Sequence, residues 1–129
     1  MNNTQEHVLS LLNSYHDHKR QLSVLEFELE KLKKAANNEY LEMTPKKSLK
    51  EIHIHHQRLK EELEFLEYCI ANIDKQLSEV VTDLFITRMS WLGTSEKHHV
   101  SQTMIQRYRR KGIEYIADMF DTKLQYGNS

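Results

Sequence analysis

The chain has little of what interrupts a helix. Its 129 residues include one proline and three glycines, which favours long helices over a sheet with many tight turns. Cys69 is the single cysteine, so an internal disulfide framework and a cysteine-based zinc site are excluded. No run of twenty apolar residues occurs, so no membrane span is expected. The first residues are polar and lack the apolar stretch of a signal peptide, which makes the cytoplasm the expected location. There is no glycine-rich phosphate loop, no nucleophile motif and no pair of carboxylates placed for acid–base work. Catalysis is therefore not expected, and no cofactor is assigned.

An excess of one charge is also missing: 18 Lys and Arg stand against 19 Asp and Glu, for a net charge of −1. The distribution is uneven. From Ile86 to Gly112 the chain carries Arg88, Lys97, Arg107, Arg109, Arg110 and Lys111 against one acid, Glu96. A basic segment on an acidic remainder is the footprint expected when one end meets phosphate. A merely solvated charged face would give the same count.

What the chain does have is helical periodicity. Val8, Leu11, Tyr15, His18, Leu22, Leu25, Leu29, Leu32 and Ala36 alternate steps of three and four, as in the apolar seam of a coiled coil. A second seam runs from Ile52 through His56, Leu59, Leu63, Leu66, Ile70, Ile73, Leu77 and Val80 to Leu84. Asn37 and Asn38 suit a helix exit, and Thr44-Pro45 suits a cap and first turn. The expected fold is all-α, a long antiparallel helical hairpin over residues 1–89. Its helices are expected at about 4–36 and 45–89, joined by a connector at 37–47. At about 1.5 Å per residue the second helix outruns the first. Its overhang, with Leu77, Val80, Val81, Leu84 and Phe85, needs cover from the C-terminal segment. Phe27 and Phe65 lie off the seams and suggest a homodimer or higher bundle.

The C-terminal unit is expected over residues 77–121 as a helix-turn-helix sharing the end of the long helix, with 122–129 as a flexible tail. Ser90 can cap a short helix from Trp91 to Lys97, with Trp91 and Leu92 packed on the long helix. His98-His99-Val100 forms the turn, and Ser101 caps the next helix. On that helix Ile105, Tyr108, Gly112, Ile116, Met119 and Phe120 share one side. Gly112, costly within a helix, suggests close approach to the long helix. Gln102, Thr103, Gln106, Arg107 and Arg110 share another side. Gln pairs with adenine and Arg with guanine in the major groove, so these five are the candidate base-reading residues. Lys97, Ser101, Arg109 and Lys111 are the candidate phosphate contacts, which position without reading sequence.

Leu84 to Phe120 resembles the promoter-reading element of sigma factors, and more closely that of small sigma-like activators of Gram-positive phages and prophages, the ArpU and RinA types. Ser90-Trp91 match the start of the family pattern, Val100-Ser101 its turn, and Met104, Arg107, Arg109 and Ile113 its later apolar and basic positions. Thr94-Ser95 stand where Ile-Ala is usual, and His98-His99 where Leu-Gly is usual. Either the segment packs through Trp91 and Leu92 instead, or the motif is degenerate. The resemblance implies a phage or prophage late-gene activator in the host cytoplasm, with double-stranded DNA and RNA polymerase as partners.

Two other readings compete. In one, the coiled coil is an interaction module, inhibitor or adaptor, with a basic docking tail. In the other, the chain is a DNA-packaging recognition subunit, ranked low because such proteins usually place the DNA-binding element first. His53 and His56 have helical metal-ligand spacing but no fixed third ligand, so no metal is assigned.

Overall fold

A computed structural model describes residues 1–36 and 46–127. Among these residues the protein is all-α. Helix α1 spans Asn3–Asn13, α2 Tyr15–Ala36, α3 Lys46–Asn72, α4 Lys75–Val81, α5 Trp91–His98 and α6 Gln102–Gly127, with a π-helical turn at Thr82–Ile86. Among the described residues no helix is long and apolar enough to cross a membrane. The expected connector, including Asn37, Asn38, Thr44 and Pro45, lies largely outside the described residues.

The chain divides into two compact units, residues 1–15 with 65–129, and residues 16–64. This corrects the expected boundary at residue 89, because α1 belongs with the C-terminal helices. The first seam is interrupted at Ser14, whose N–H bonds the carbonyls of both Ser10 and Leu12 as α1 ends. Capping at the other end is complete: Asn2 and Gln5 exchange side-chain to backbone hydrogen bonds, satisfying two amides that otherwise lack partners. Val8, Leu11 and Leu12 are buried. α1 packs on α6, where Thr4 Oγ1 donates to Asp121 Oδ1 at 2.7 Å and His7 meets the Phe120 ring edge-on.

The second seam also breaks, although its heptad pattern does not. Asp74 leaves the helical region, with φ −45° and ψ 135°, and its side chain accepts from the Gln76 N–H, capping α4. Asn72 turns back to donate to the Tyr68 carbonyl at 2.8 Å. Short polar side chains that compete for backbone groups end a helix more decisively than the apolar pattern extends it. The cover expected for the overhang is present: Leu77, Val80 and Val81 are buried and α4 packs on α6. A methyl group added to Gly112 would lie 2.6 Å from Val81 Cγ2, so glycine at 112 permits this close approach. Ile105, Ile113, Ile116, Ala117 and Phe120 complete the α6 contribution to the core. α6 runs on to Gly127, which corrects the expected flexible tail over residues 122–127.

In the unit of residues 16–64, the second half of each seam is buried best, at Leu29, Leu59 and Leu63. The two helices meet where His56 Nε2 lies 3.2 Å from Glu26 Oε1. Leu22, Leu25, Leu32 and Ile52 are only half-buried, as expected when two helices cover each other from one side alone.

Candidate nucleic-acid interface

Three local devices build α5 and its turn. Ser90 Oγ accepts from the Gly93 N–H at 2.9 Å and starts the helix. His99 ends it in the left-handed conformation, with φ 55°, doing without glycine what a helix terminus usually assigns to glycine. Ser101 Oγ then accepts from the Met104 N–H at 3.1 Å and starts α6.

The two unusual residues at the centre of α5 are buried and satisfied. Thr94 Oγ1 donates to the Ser90 carbonyl and Ser95 Oγ to the Leu92 carbonyl, both at 2.8 Å. Hydroxyls returned to their own helix leave the methyl and methylene groups free to pack. The first expected alternative, packing through Trp91 and Leu92, does not apply, since the helix buries Thr94 and Ser95 instead. Trp91 and Leu92, expected to pack on the long helix, are exposed.

All five candidate base-reading residues, Gln102, Thr103, Gln106, Arg107 and Arg110, are exposed along the first half of α6. Among the described residues no ion pair holds Arg107 or Arg110. Ile105, one turn along the opposite side, is fully buried. The helix is thus anchored on one side and open on the other.

The four candidate phosphate residues divide differently. Lys111 is exposed at the edge of a groove of about 630 Å³, also lined by Tyr108, Tyr115, Asp74 and Asp118. Ser101 is exposed, with its hydroxyl accepting the helix-capping bond. Lys97 is already paired, with Nζ 2.8 Å from Asp83 Oδ1. Arg109 is half-buried, its guanidinium 5.3 Å from the centre of the Phe85 ring and 5.7 Å from that of Trp91. The position explains this placement. Arg109 follows Ile105 and precedes Ile113 by four residues, so it falls on the buried row.

Asp83, outside the expected site, organises this end of the molecule. The π-helical turn inserts one residue and is closed by the Thr87 N–H on the Thr82 carbonyl, and beyond it the Met89 N–H bonds the Asp83 carbonyl, each at 2.8 Å. The Asp83 side chain is buried and its Oδ2 lies 2.7 Å from Nε2 of the buried His98. Burial alone would raise the Asp83 pKa. The hydrogen bonds and charges of Lys97 and His98 outweigh burial and hold the carboxyl below its ordinary value. Burial lowers the Arg109 pKa, but guanidinium begins so high that it keeps its charge.

Cys69, fully buried, is pushed up to about 11 by burial, against the opposing charge of Lys123. It is a packed thiol with little nucleophilic thiolate. No family model, curated protein or solved structure matches this chain.

Proposed function

We propose that the protein is a sequence-specific DNA-binding regulator of transcription that lays the first half of α6 into the major groove. The observation that carries this reading is the row Gln102, Thr103, Gln106, Arg107 and Arg110. It is exposed on a helix whose other side is locked into a core. Side chains able to pair with adenine and guanine edges are thereby presented on a rigid rod, and among the described residues no carboxylate holds the arginines. Between residues 86 and 112 the cations open to phosphate, with no ion pair or ring contact among the described residues, are Arg88, Arg107, Arg110 and Lys111, since Lys97 and Arg109 are engaged. Four such contacts would give a log–log salt slope of about −3.6.

The test is a pair of substitutions, Arg107→Ala with Arg110→Ala, in the full chain. Helix content and melting temperature should hold while sequence-selective binding is lost. Crosslinking of the protein to genomic DNA should recover a common sequence, and that recovery should vanish in the double variant. A flat salt response in the wild-type chain would remove the reading.

A second reading rests on a different observation. Phe27 is 68% exposed and Val24 57% exposed in the unit of residues 16–64. Large apolar side chains in that position suit a self-association or partner surface. On this reading the helical pair is the working part. Sedimentation of the wild-type chain beside Phe27→Glu separates the two, because only the second reading requires assembly to depend on Phe27.

A further inference from the structure

We propose that the exposed side of α2 is an interface between two copies of this chain, paired antiparallel about the midpoint between Val24 and Phe27. The proposal rests on the second reading above and names its partner. Asp17, Arg20, Val24, Phe27, Lys31 and Lys34 alternate steps of three and four along α2, so they form one stripe of that helix. All six are exposed. The seam of the same helix, with the buried Leu29, lies on the opposite side. A valine and a phenylalanine at the middle of a charged stripe leave apolar surface open to water.

The symmetry of the stripe decides what covers it. Asp17 stands seven residues before Val24, and Lys34 seven after Phe27. Arg20 stands four before Val24, and Lys31 four after Phe27. A two-fold pair requires that residue i meet residue j while j meets i. Set antiparallel, Val24 meets Phe27 twice, and Asp17 meets Lys34 once at each end. A second copy therefore matches both the apolar centre and the charged ends.

Charge also fixes the direction. A parallel pair would set Asp17, Arg20, Lys31 and Lys34 each against itself, giving only like-charge contacts. The antiparallel pair replaces these with two attractive Asp17–Lys34 contacts and two repulsive Arg20–Lys31 contacts. The repulsion is softened, because Arg20 is already ion-paired with Asp17 of its own helix. Lys31 and Lys34 have no ion pair among the described residues and are open to the second copy.

The experiment is sedimentation equilibrium of the full chain across the micromolar range, with helix content followed by circular dichroism. Every substituted position is exposed, so the fold should hold. Phe27→Glu should weaken dimerisation about a hundredfold, since each dimer loses two covered rings. Asp17→Lys and Lys34→Asp should each weaken it about tenfold, as two attractive contacts become repulsive. The double variant, Asp17→Lys with Lys34→Asp, should return to the wild-type value, because the facing charges are opposite again. Lys31→Glu should tighten the dimer about tenfold by turning both Arg20 contacts attractive. In a parallel pair it would leave like charges facing and tighten nothing. Restoration by the double variant together with tightening by Lys31→Glu supports the antiparallel pair. A dimer that Phe27→Glu loosens, but that the double variant fails to restore and Lys31→Glu fails to tighten, overturns the antiparallel pairing alone. A wild-type chain that stays monomeric overturns the pairing and the self-association reading together, and leaves the face to a different protein. A dimer that Phe27→Glu leaves intact also overturns both.

Discussion

The two units bury their apolar seams to very different extents. Residues 1–15 with 65–129 interleave side chains from α1, the end of α3, α4 and α6, and Val8, Leu66, Val80, Val81, Ile105, Ile113 and Ile116 are sealed from solvent. Residues 16–64 have longer apolar repeats, yet several of their leucines stay half-open and His18 Nδ1 is buried without a hydrogen-bond partner among the described residues. The lesson is that a regular heptad marks a seam but does not tell how many elements close over it. Closure in the first unit comes from α1, α4 and α6 crowding together, and the long seam contributes only its last part.

Core truncation should show the contrast most strongly. Ile113→Ala removes a fully buried side chain and is expected to cost about 4 kcal/mol, transfer and cavity terms included. Leu25→Ala removes a half-buried one and should cost about 1 kcal/mol. Denaturant melts of the two variants, beside amide exchange resolved by region, measure the difference. Equal costs would mean that the units are equally well packed.

Next in size is the polar lock at Asp83. Asp83→Ala leaves His98 buried without its carboxylate and should cost about 3 kcal/mol. The pH dependence has a definite sign. Because the folded carboxyl lies below its ordinary value, its contribution is complete above the unfolded value of about 3.9. It is lost as pH falls through the folded value. The wild-type chain should therefore lose stability on the acid side of pH 4 more steeply than Asp83→Asn, as read from urea midpoints between pH 2 and 6. Parallel curves would remove Asp83 as a source of acid sensitivity.

These two effects differ in how legible they were. The helical class, the cap at Ser101, the close approach at Gly112 and the open face of α6 follow from spacing and residue type. Arg109 was also legible in principle, since it stands four residues from both Ile105 and Ile113, but its charge drew it into the phosphate set. Asp83 was hidden. It lies in an apolar stretch, within the π-helical turn, and its partners Lys97 and His98 follow 14 and 15 residues later. The placement of α1 against α6 depends on a contact between residues more than a hundred positions apart, which local periodicity does not encode. The break at Asn72 to Asp74 was visible as two short polar residues, but the unbroken heptad around it carried the reading.

Gly112→Ala tests the packed unit at its tightest point. Alanine gains about 1 kcal/mol of helix propensity. Its methyl would lie 2.6 Å from Val81 Cγ2, and overpacking costs about 1–3 kcal/mol. Val81 is fully buried and β-branched, so it has little room to turn away. The clash should win, with a net loss of about 1 kcal/mol in a urea melt. A gain in stability would mean that α4 and α6 separate easily.

The smallest expected effect is a gain, at His99. Its φ of 55° lies in the left-handed region, which costs a residue with a Cβ about 1–2 kcal/mol. Glycine would remove that cost while adding about 0.5–1 kcal/mol of unfolded-state freedom. The remainder is a stabilisation of about 0.5 kcal/mol for His99→Gly, with α5 still closed by the bond from the His99 N–H to the Glu96 carbonyl. The side chain of His99 is exposed, so little packing is lost. A thermal melt a few degrees above wild type is the expected result. If His99→Gly instead lowers the melting temperature, the imidazole makes a contact that outweighs the backbone strain. The turn would then depend on histidine for its side chain as well as for its tolerance of positive φ.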